Sequence, residues 1–373
     1  MPVDAHLLDS PALAPPLARL LDDPDAQPTD VAAIRLSAGA GQGLGVYRVC
    51  GHAHSRNQLL RWSTILKILP ASAEHELPDD WCYSERELLA YRSGLVRELP
   101  GGLQAPRCLS LDRHERGNHH LWLEDLGPHQ QRWTSEDYER AARCLGRLNG
   151  AYLAGHHFPA HRWLSRDWLA RWLAATAPAI SLLAQHRDHP LVRRVYPTDI
   201  AARIAMLWAD RDRLLQALDR LPQTLCHHDA FRRNLVAHGD RIVALDWAFV
   251  GRGPVGAELS PLVSATLAFR EIDRERRPEL ERIVFTSYVA GLRDAGWHGP
   301  EEQVWFGFAA TSALRYGPGT VRLVLPVLLD EADRGRVLGV LGIPFDQVLD
   351  HWASVIRDDV LLHDRTQLAT AWK

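Results

Sequence analysis

The chain has 373 residues, 46% of them hydrophobic and 24% charged, with a formal net charge of −3. That length suits one large domain or two lobes around a substantial core, and the interspersed acids and bases, with no long basic run, argue against nucleic acid as a partner. Five cysteines (Cys50, Cys82, Cys108, Cys144 and Cys226) include no C-x-x-C pair, which predicts a reduced, cytoplasmic protein with inert thiols, and no apolar run reaches the ~18 residues of a membrane span.

The N-terminal stretch MPVDAHLLDSPALAPPLARLL lacks the basic start and the uninterrupted apolar core of a signal peptide. Residues 1–30 are rich in Pro, Asp and Ala. They are expected to form a loosely ordered arm with at most a short helix around Leu17 to Leu21, ordered structure beginning near Val31. VAAIRL, GVYRVCG and RWSTILKIL read as three strands separated by glycine or polar turns. Glu85 to Leu95 reads as a helix with Leu88, Leu89 and Tyr91 on one side, broken by Pro100-Gly101-Gly102. APRCLSLD and HHLWLEDL follow as two more strands. Residues 31–127 therefore form an α+β lobe, with the boundary near Leu126-Gly127-Pro128.

From Ser135, an N-cap candidate followed by acids, residues 128–373 are mostly helical. Further helices are expected at 167–176, 199–219, 258–269, 275–294, 300–314, 319–328 and 345–362. The cleft between the two lobes is a natural nucleotide site. Trp297, Trp305 and Tyr316 are among the aromatic residues expected mostly in the core.

One non-helical stretch interrupts the second lobe: LCHHDAFRRNL, then RIVALDW. His227, Asp229 and Asn234 stand in the pattern H-x-D-x-x-x-x-N, and Asp246 ends a short apolar run. Phosphoryl transfer of the protein-kinase type needs an Asp that orients an attacking hydroxyl and an Asn with a second Asp to hold magnesium. A turn centred near Asp240 would give paired residues a constant sum of about 480. Asn234 would then face Asp246 roughly 5 Å away, close enough to share a hard cation. His227 is expected to orient the loop, and His228 to be exposed.

Lys67 stands among apolar neighbours in STILKIL, a costly place for an unpaired ammonium. Kinases put such a lysine on the nucleotide phosphates and pair it with a helix glutamate. Glu87 is the candidate partner and Glu85 its rival. Gly39, Gly41, Gly43 and Gly45 precede this strand. Gly41 and Gly43 are the candidates for bringing backbone amides to phosphate, the alternative being a plain hairpin turn. In LWLEDL, backbone groups are candidates for an adenine edge, with Glu124 and Asp125 alternatively simple capping residues. The doublets His119-His120, His156-His157 and His227-His228 match no helical ligand pair and no H-E-x-x-H, so zinc is not expected.

From about Val31 to about Leu262 these residues resemble the aminoglycoside phosphotransferase family of kinase-like small-molecule phosphotransferases. The resemblance rests on STILKIL, SERELLAY, LWLEDL, CHHDAFRRNL and ALDWAFVGRGPVGAEL. Asp246-Trp247 followed by Gly251, Gly253, Pro254, Gly256, Glu258 and Leu259 looks like this family, whereas protein kinases carry D-F-G and A-P-E. His228 departs from it, since members often have glycine there.

The resemblance implies a protein-kinase-like two-lobe fold, with a small β-rich N-terminal lobe and a larger, mostly helical C-terminal lobe. It implies Asp229 as catalytic base, Asn234 and Asp246 as Mg2+ ligands, and Lys67 on the phosphates of ATP or GTP. The acceptor would be a hydroxyl of a small molecule such as an aminoglycoside-like antibiotic, an amino alcohol or a sugar. A polycationic acceptor wants an acidic pocket, for which Glu258, Glu271 and Asp273 are candidates, or else they are cap and surface charges. The alternative function is a catalytically silent nucleotide-binding regulatory module. Against it, no motif residue is missing.

Overall fold

The computed structural model describes residues 10–37, 45–70, 76–113, 117–127 and 132–369. It opens with a helix, α1 (Ser10–Leu21), which corrects the expected loose arm. Leu13 and Leu17, four residues apart and so on one face, are buried against Leu66, Leu109 and Trp122. Arg19 Nη1 donates to Leu109 O at 3.0 Å. Pro15 and Pro16 inside the helix made this stretch look like linker.

β1 (Gln27–Ser37), β2 (Gly45–Ser55) and β3 (Gln58–Leu69) follow as an antiparallel meander, with ordered structure again starting before Val31. The β2–β3 turn is Arg56-Asn57, both at positive φ (46° and 60°), as a two-residue type I′ hairpin requires. α2 (Arg86–Arg92) is shorter than the stretch predicted for it. Past a 3-10 turn at Pro100–Gly102 come β4 (Leu103–Gln104), β5 (Cys108–Arg113) and β6 (His119–Glu124). The five-stranded sheet has the order β1-β2-β3-β6-β5. β3 is central, with Lys67 paired between Val46 of β2 and Leu121 of β6.

The remainder is mainly helical. α3 (Ser135–Leu153) begins one residue earlier in capping terms than expected. Thr134 is the N-cap, and it forms a reciprocal capping box with Asp137. α4 (Trp168–Gln185), α5 (Pro190–Val195) and α6 (Thr198–Asp219) lead to β7 (Gln223–Cys226). The hairpin β8 (Leu235–His238) and β9 (Arg241–Ala244) precedes β10 (Gly251–Pro254).

A π-helical turn at Pro261–Ala265 runs into α7 (Thr266–Ala268). α8 (Arg277–Asp294), α9 (Glu301–Tyr316), α10 (Val321–Leu329), α11 (Glu331–Leu341) and α12 (Phe345–Ala369) complete the chain. α5 and α11 were not anticipated. This is an α+β two-lobe architecture. One junction crosses it: β4, from the N-terminal half, pairs in parallel with β9 of the hairpin.

Candidate active site

The hairpin forms, with a register one residue away from the expected one. Leu235 pairs with Ala244 and His238 with Arg241, so the turn is the two residues Gly239-Asp240. Asn234 accordingly faces Leu245, whose N–H donates to Asn234 O at 2.7 Å. A slip of one residue turns a strand side chain to the other face. Asp246 does not continue the strand: its φ of 61° swings the backbone out of the ladder, a conformation that Asp tolerates better than most residues.

Asp246 meets the N-terminal lobe there. Lys67 Nζ lies 2.9 Å from Asp246 Oδ1 and 2.5 Å from Glu87 Oε2. Glu85 accepts instead from the Tyr83 hydroxyl. Burial works against the Lys67 charge, but Asp246 and Glu87 outweigh it and hold its pKa above the ordinary lysine value. Burial pushes the Glu87 carboxyl up, with Lys67 opposing. For Asp246 burial also acts upward, and there the Lys67 ammonium prevails and holds the carboxyl below its ordinary value. The lysine therefore stays charged in a site where an isolated ammonium would not.

Arg86, the neighbour of Glu87, braces this corner. Its buried guanidinium donates to the carbonyls of Pro78, Asp80, Trp81, Trp163 and Ala248 at 2.7–3.3 Å. Ala248 lies two residues past Asp246, so α2 holds the Asp246 loop by this backbone bond and, indirectly, through Lys67, with which both Glu87 and Asp246 pair.

Asp229 sits in the loop between β7 and β8 with both carboxylate oxygens held. Asn234 Nδ2 donates to Oδ2 at 2.9 Å and to the Asp229 carbonyl at 3.0 Å. Arg315 Nη2 of α9 donates to Oδ1 at 2.7 Å, and its Nη1 donates to His228 O. Burial raises the Asp229 carboxyl above its ordinary value, with Arg315 opposing. Each carboxylate oxygen keeps a lone pair beyond these bonds. The motif reading missed Arg315. It lies 86 residues downstream in a helix with no motif around it, and its only signal was a charge in an apolar stretch, FAATSALRY.

His227 fixes the loop. The Asp229 N–H donates to His227 Nδ1 at 3.2 Å, so the ring proton sits on Nε2, which donates to Leu245 O at 2.9 Å. His228 is buried, not exposed. Its N–H donates to Glu258 Oε1 at 2.9 Å, its Nε2 donates to Arg252 O at 3.0 Å, and its ring stacks on Trp168 with centroids 5.5 Å apart. Its φ is 64°, the region where glycine is at home and another residue pays about 1 kcal/mol. Burial depresses its pKa to about 3, so the ring is neutral.

Cys226, His228 and Glu258 bring potential ligand atoms within 4.8 Å of one another. The cluster is buried behind the loop, and the His228 and Glu258 groups already bond Arg252 and the loop backbone. Glu258 is thus a brace under the loop, not part of an acidic acceptor pocket. Glu271 is bound to Arg232 and Arg233 at 2.6 and 2.7 Å, and Asp273 is exposed on the surface. Tyr316 packs with Phe231, while Trp297 and Trp305 pack against the main core.

At the lobe crossing, Asp125 accepts from Arg48 Nε at 2.7 Å and Arg48 Nη2 at 3.1 Å, and also from the Ser63 hydroxyl and Gly127 N–H. It pins this segment to β2 and β3. Gly41 and Gly43 lie outside the described residues.

A family model described as the phosphotransferase enzyme family, APH, matches residues 53–301, more than half of the chain. The chain belongs to this family. Membership places it among small-molecule kinases. No curated protein matches the sequence. Among solved structures, a choline kinase from Cryptosporidium parvum is similar with a TM-score of 0.55 at 10% identity, over 90% of this chain and 89% of that one. An amicoumacin kinase solved with AMP-PNP and Ca2+ gives 0.54 at 13% identity, over 90% and 88%. A spectinomycin phosphotransferase solved with ADP and its antibiotic gives 0.51 at 12% identity, over 98% and 99%. At such identities these establish the kinase-like fold. No helix among the described residues is long and apolar enough to cross a membrane.

Proposed function

We propose that this phosphotransferase moves the γ-phosphoryl group of a magnesium nucleotide, ATP in the first instance, to a hydroxyl of a small molecule. The nucleotide would lie between residues 31–127 and 128–373, its phosphates on Lys67. The observation that carries the reading is the meeting of Lys67, Glu87 and Asp246 beside the Asp229–Asn234 pair.

The acceptor O–H donates to Asp229, which takes its proton as the oxygen forms a bond to the γ-phosphorus. The bond from that phosphorus to the β–γ bridging oxygen breaks, and its electron pair leaves on the nucleoside diphosphate. Asp229 is held in place for this by Asn234 on one oxygen and Arg315 on the other. The proton transfer is worth roughly 10²- to 10⁴-fold.

Asn234 and Asp246 fit a hard cation. Asn234 spends its Nδ2 on Asp229, which leaves its Oδ1 with no donor among the described residues. Asp246 is 44% exposed toward the cleft. An amide oxygen and a carboxylate are the donors magnesium prefers. When bound, the ion would supply neutralisation of phosphate charge.

Asp229→Ala tests the assignment. Transfer of label from γ-labelled ATP to a pooled set of hydroxyl compounds is expected to fall roughly 10²- to 10⁴-fold with folding intact. Unchanged turnover removes Asp229 from the reaction. A silent nucleotide-binding module would bind Mg-ATP and label nothing with either protein.

A further inference from the structure

Beside the catalytic loop stands a wall of indoles. Trp168 stacks on His228 and on Trp172, with centroids 5.5 and 5.4 Å away, and carries the Arg315 guanidinium 4.6 Å from its ring. Trp81 meets Trp172 edge-on at 4.8 Å and 88°. In the corner these two form lies Arg322 of α10, its Cζ 4.4 Å from each ring. The Trp172 indole is fixed by Nε1, which donates to Gly319 O at 3.1 Å, and Trp81 is fixed through its backbone. The Trp81 carbonyl accepts from Trp168 Nε1 at 3.1 Å and from Arg86.

Arg322 is a positioned cation that no anion among the described residues meets. Among the described residues no carboxylate pairs with it, and its buried Nε has no hydrogen-bond partner. The buried Nε is not the edge a ligand would meet; a guanidinium held against aromatic faces offers its two Nη groups, which match a planar carboxylate through two parallel bonds. Two other ligand chemistries fit poorly. The aromatic faces that would hold an ammonium are already taken by Arg322 itself. A polycation would meet Arg315 and Arg322, and the acids around the loop are already used: Asp229 is bound to Arg315, Glu258 is buried under the loop, and Glu271 is bound by Arg232 and Arg233.

We propose that Arg322, set in the Trp81–Trp172 corner, binds a carboxylate of the acceptor, so that the acceptor is a hydroxylated carboxylic acid. The inference rests on the phosphotransferase reading above. Two stacked indoles, Trp172 and Trp168, separate Arg322 from Arg315 and Asp229. The carboxylate therefore lies several bonds away from the hydroxyl that receives the phosphoryl group. Arg322 sets specificity and takes no part in the bond changes.

The test uses the full chain, Mg2+ and γ-labelled ATP. The acceptors are ω-hydroxy and polyhydroxy carboxylic acids of increasing length, each matched with its primary amide, together with choline and an aminoglycoside. Label is expected in acids, with kcat/KM about 10- to 100-fold above the matched amide, the worth of a charge-assisted pair. Arg322→Met is expected to bring that ratio close to one through KM, and Arg322→Lys to retain part of it. The wild-type ratio needs no variant and is decisive if Arg322→Met does not fold. Label in amides, choline or the aminoglycoside as readily as in acids overturns the carboxylate assignment and leaves the phosphotransferase standing. A ratio unmoved by Arg322→Met in folded protein overturns it as well. Label in no compound, with Mg-ATP bound, overturns the phosphotransferase reading and this inference with it.

Discussion

The two halves of the site are built by different means. On the proposed nucleotide side, Lys67, Glu87 and Asp246 form a chain of alternating charge across three elements. On the proposed acceptor side, Asp229 is held by Asn234 and Arg315, and Arg315 in turn leans on Trp168. The first arrangement works by neutralisation: the buried Lys67 and Glu87 charges are tolerable because each has the other, and the half-exposed Asp246 adds to the hold on Lys67. The second adds packing to charge: Arg315 pairs with Asp229 and leans on Trp168, and indoles set where Arg322 stands. Charge chains are sensitive to the loss of any member, whereas a packed wall distributes the loss.

The contrast is sharpest in what single substitutions do. Lys67→Met should cost the most after Asp229→Ala, roughly 10²- to 10³-fold in kcat/KM for ATP, the scale of losing a positioned charge in a dry site. It leaves Glu87 and Asp246 facing one another without a cation. Arg315→Met should cost less, about 10- to 100-fold. Its loss should fall on kcat with the KM for ATP unmoved, because Arg315 positions Asp229 and touches no nucleotide group; Arg315→Lys should recover part of it. Steady-state kinetics with ATP varied separate the two. Equal losses in kcat for both variants would erase the distinction between the halves.

The last effect is on stability, and it concerns the packed side. His228 has a folded pKa of about 3 against an ordinary value of 6.5. The unfolded chain therefore takes up a proton first on acidification. The native state should lose stability as pH falls from about 6.5 toward 3, by up to about 1.4 kcal/mol per pH unit. His228→Gly removes that titration and relieves the positive φ. In urea titrations its stability relative to the wild type should improve as pH is lowered. A constant gap across pH would mean that the buried ring is not what the acid limb reports.

Legibility in the sequence divides along the same line. Lys67, Glu87, Asp229, Asn234 and Asp246 could be proposed from the sequence because phosphate and metal chemistry demands certain residue types at short, fixed spacings, and the structure brings Lys67 to Glu87 and Asp246, and Asn234 to Asp229. Arg315 and Arg322 could not, because packing places no constraint on spacing and the helices that carry them read as ordinary amphipathic segments. The hairpin was visible, but its register was not. Whether a turn takes two residues or three moves every partner by one, and His-Gly-Asp is compatible with both. α1 was hidden by its prolines, and the burial of His228 by the rarity of histidine at positive φ.

The contact between β4 and β9 bears on how this protein could be recombined with its relatives. Leu103 pairs with Ile242 and Gln104 with Val243. Just before them Gly101, at a φ of 80°, lies so close to α3 that a Cβ there would stand 2.5 Å from Arg147 C. A chimera joined at residue 127 would import this strand and this glycine with the N-terminal half, and set them against a hairpin and a helix from the other parent. A foreign pair at 103–104, or any side chain at 101, would shift the strand that ends two residues before Asp246. Successful exchanges should therefore break before residue 100, or carry the β8–β9 hairpin along with the N-terminal half.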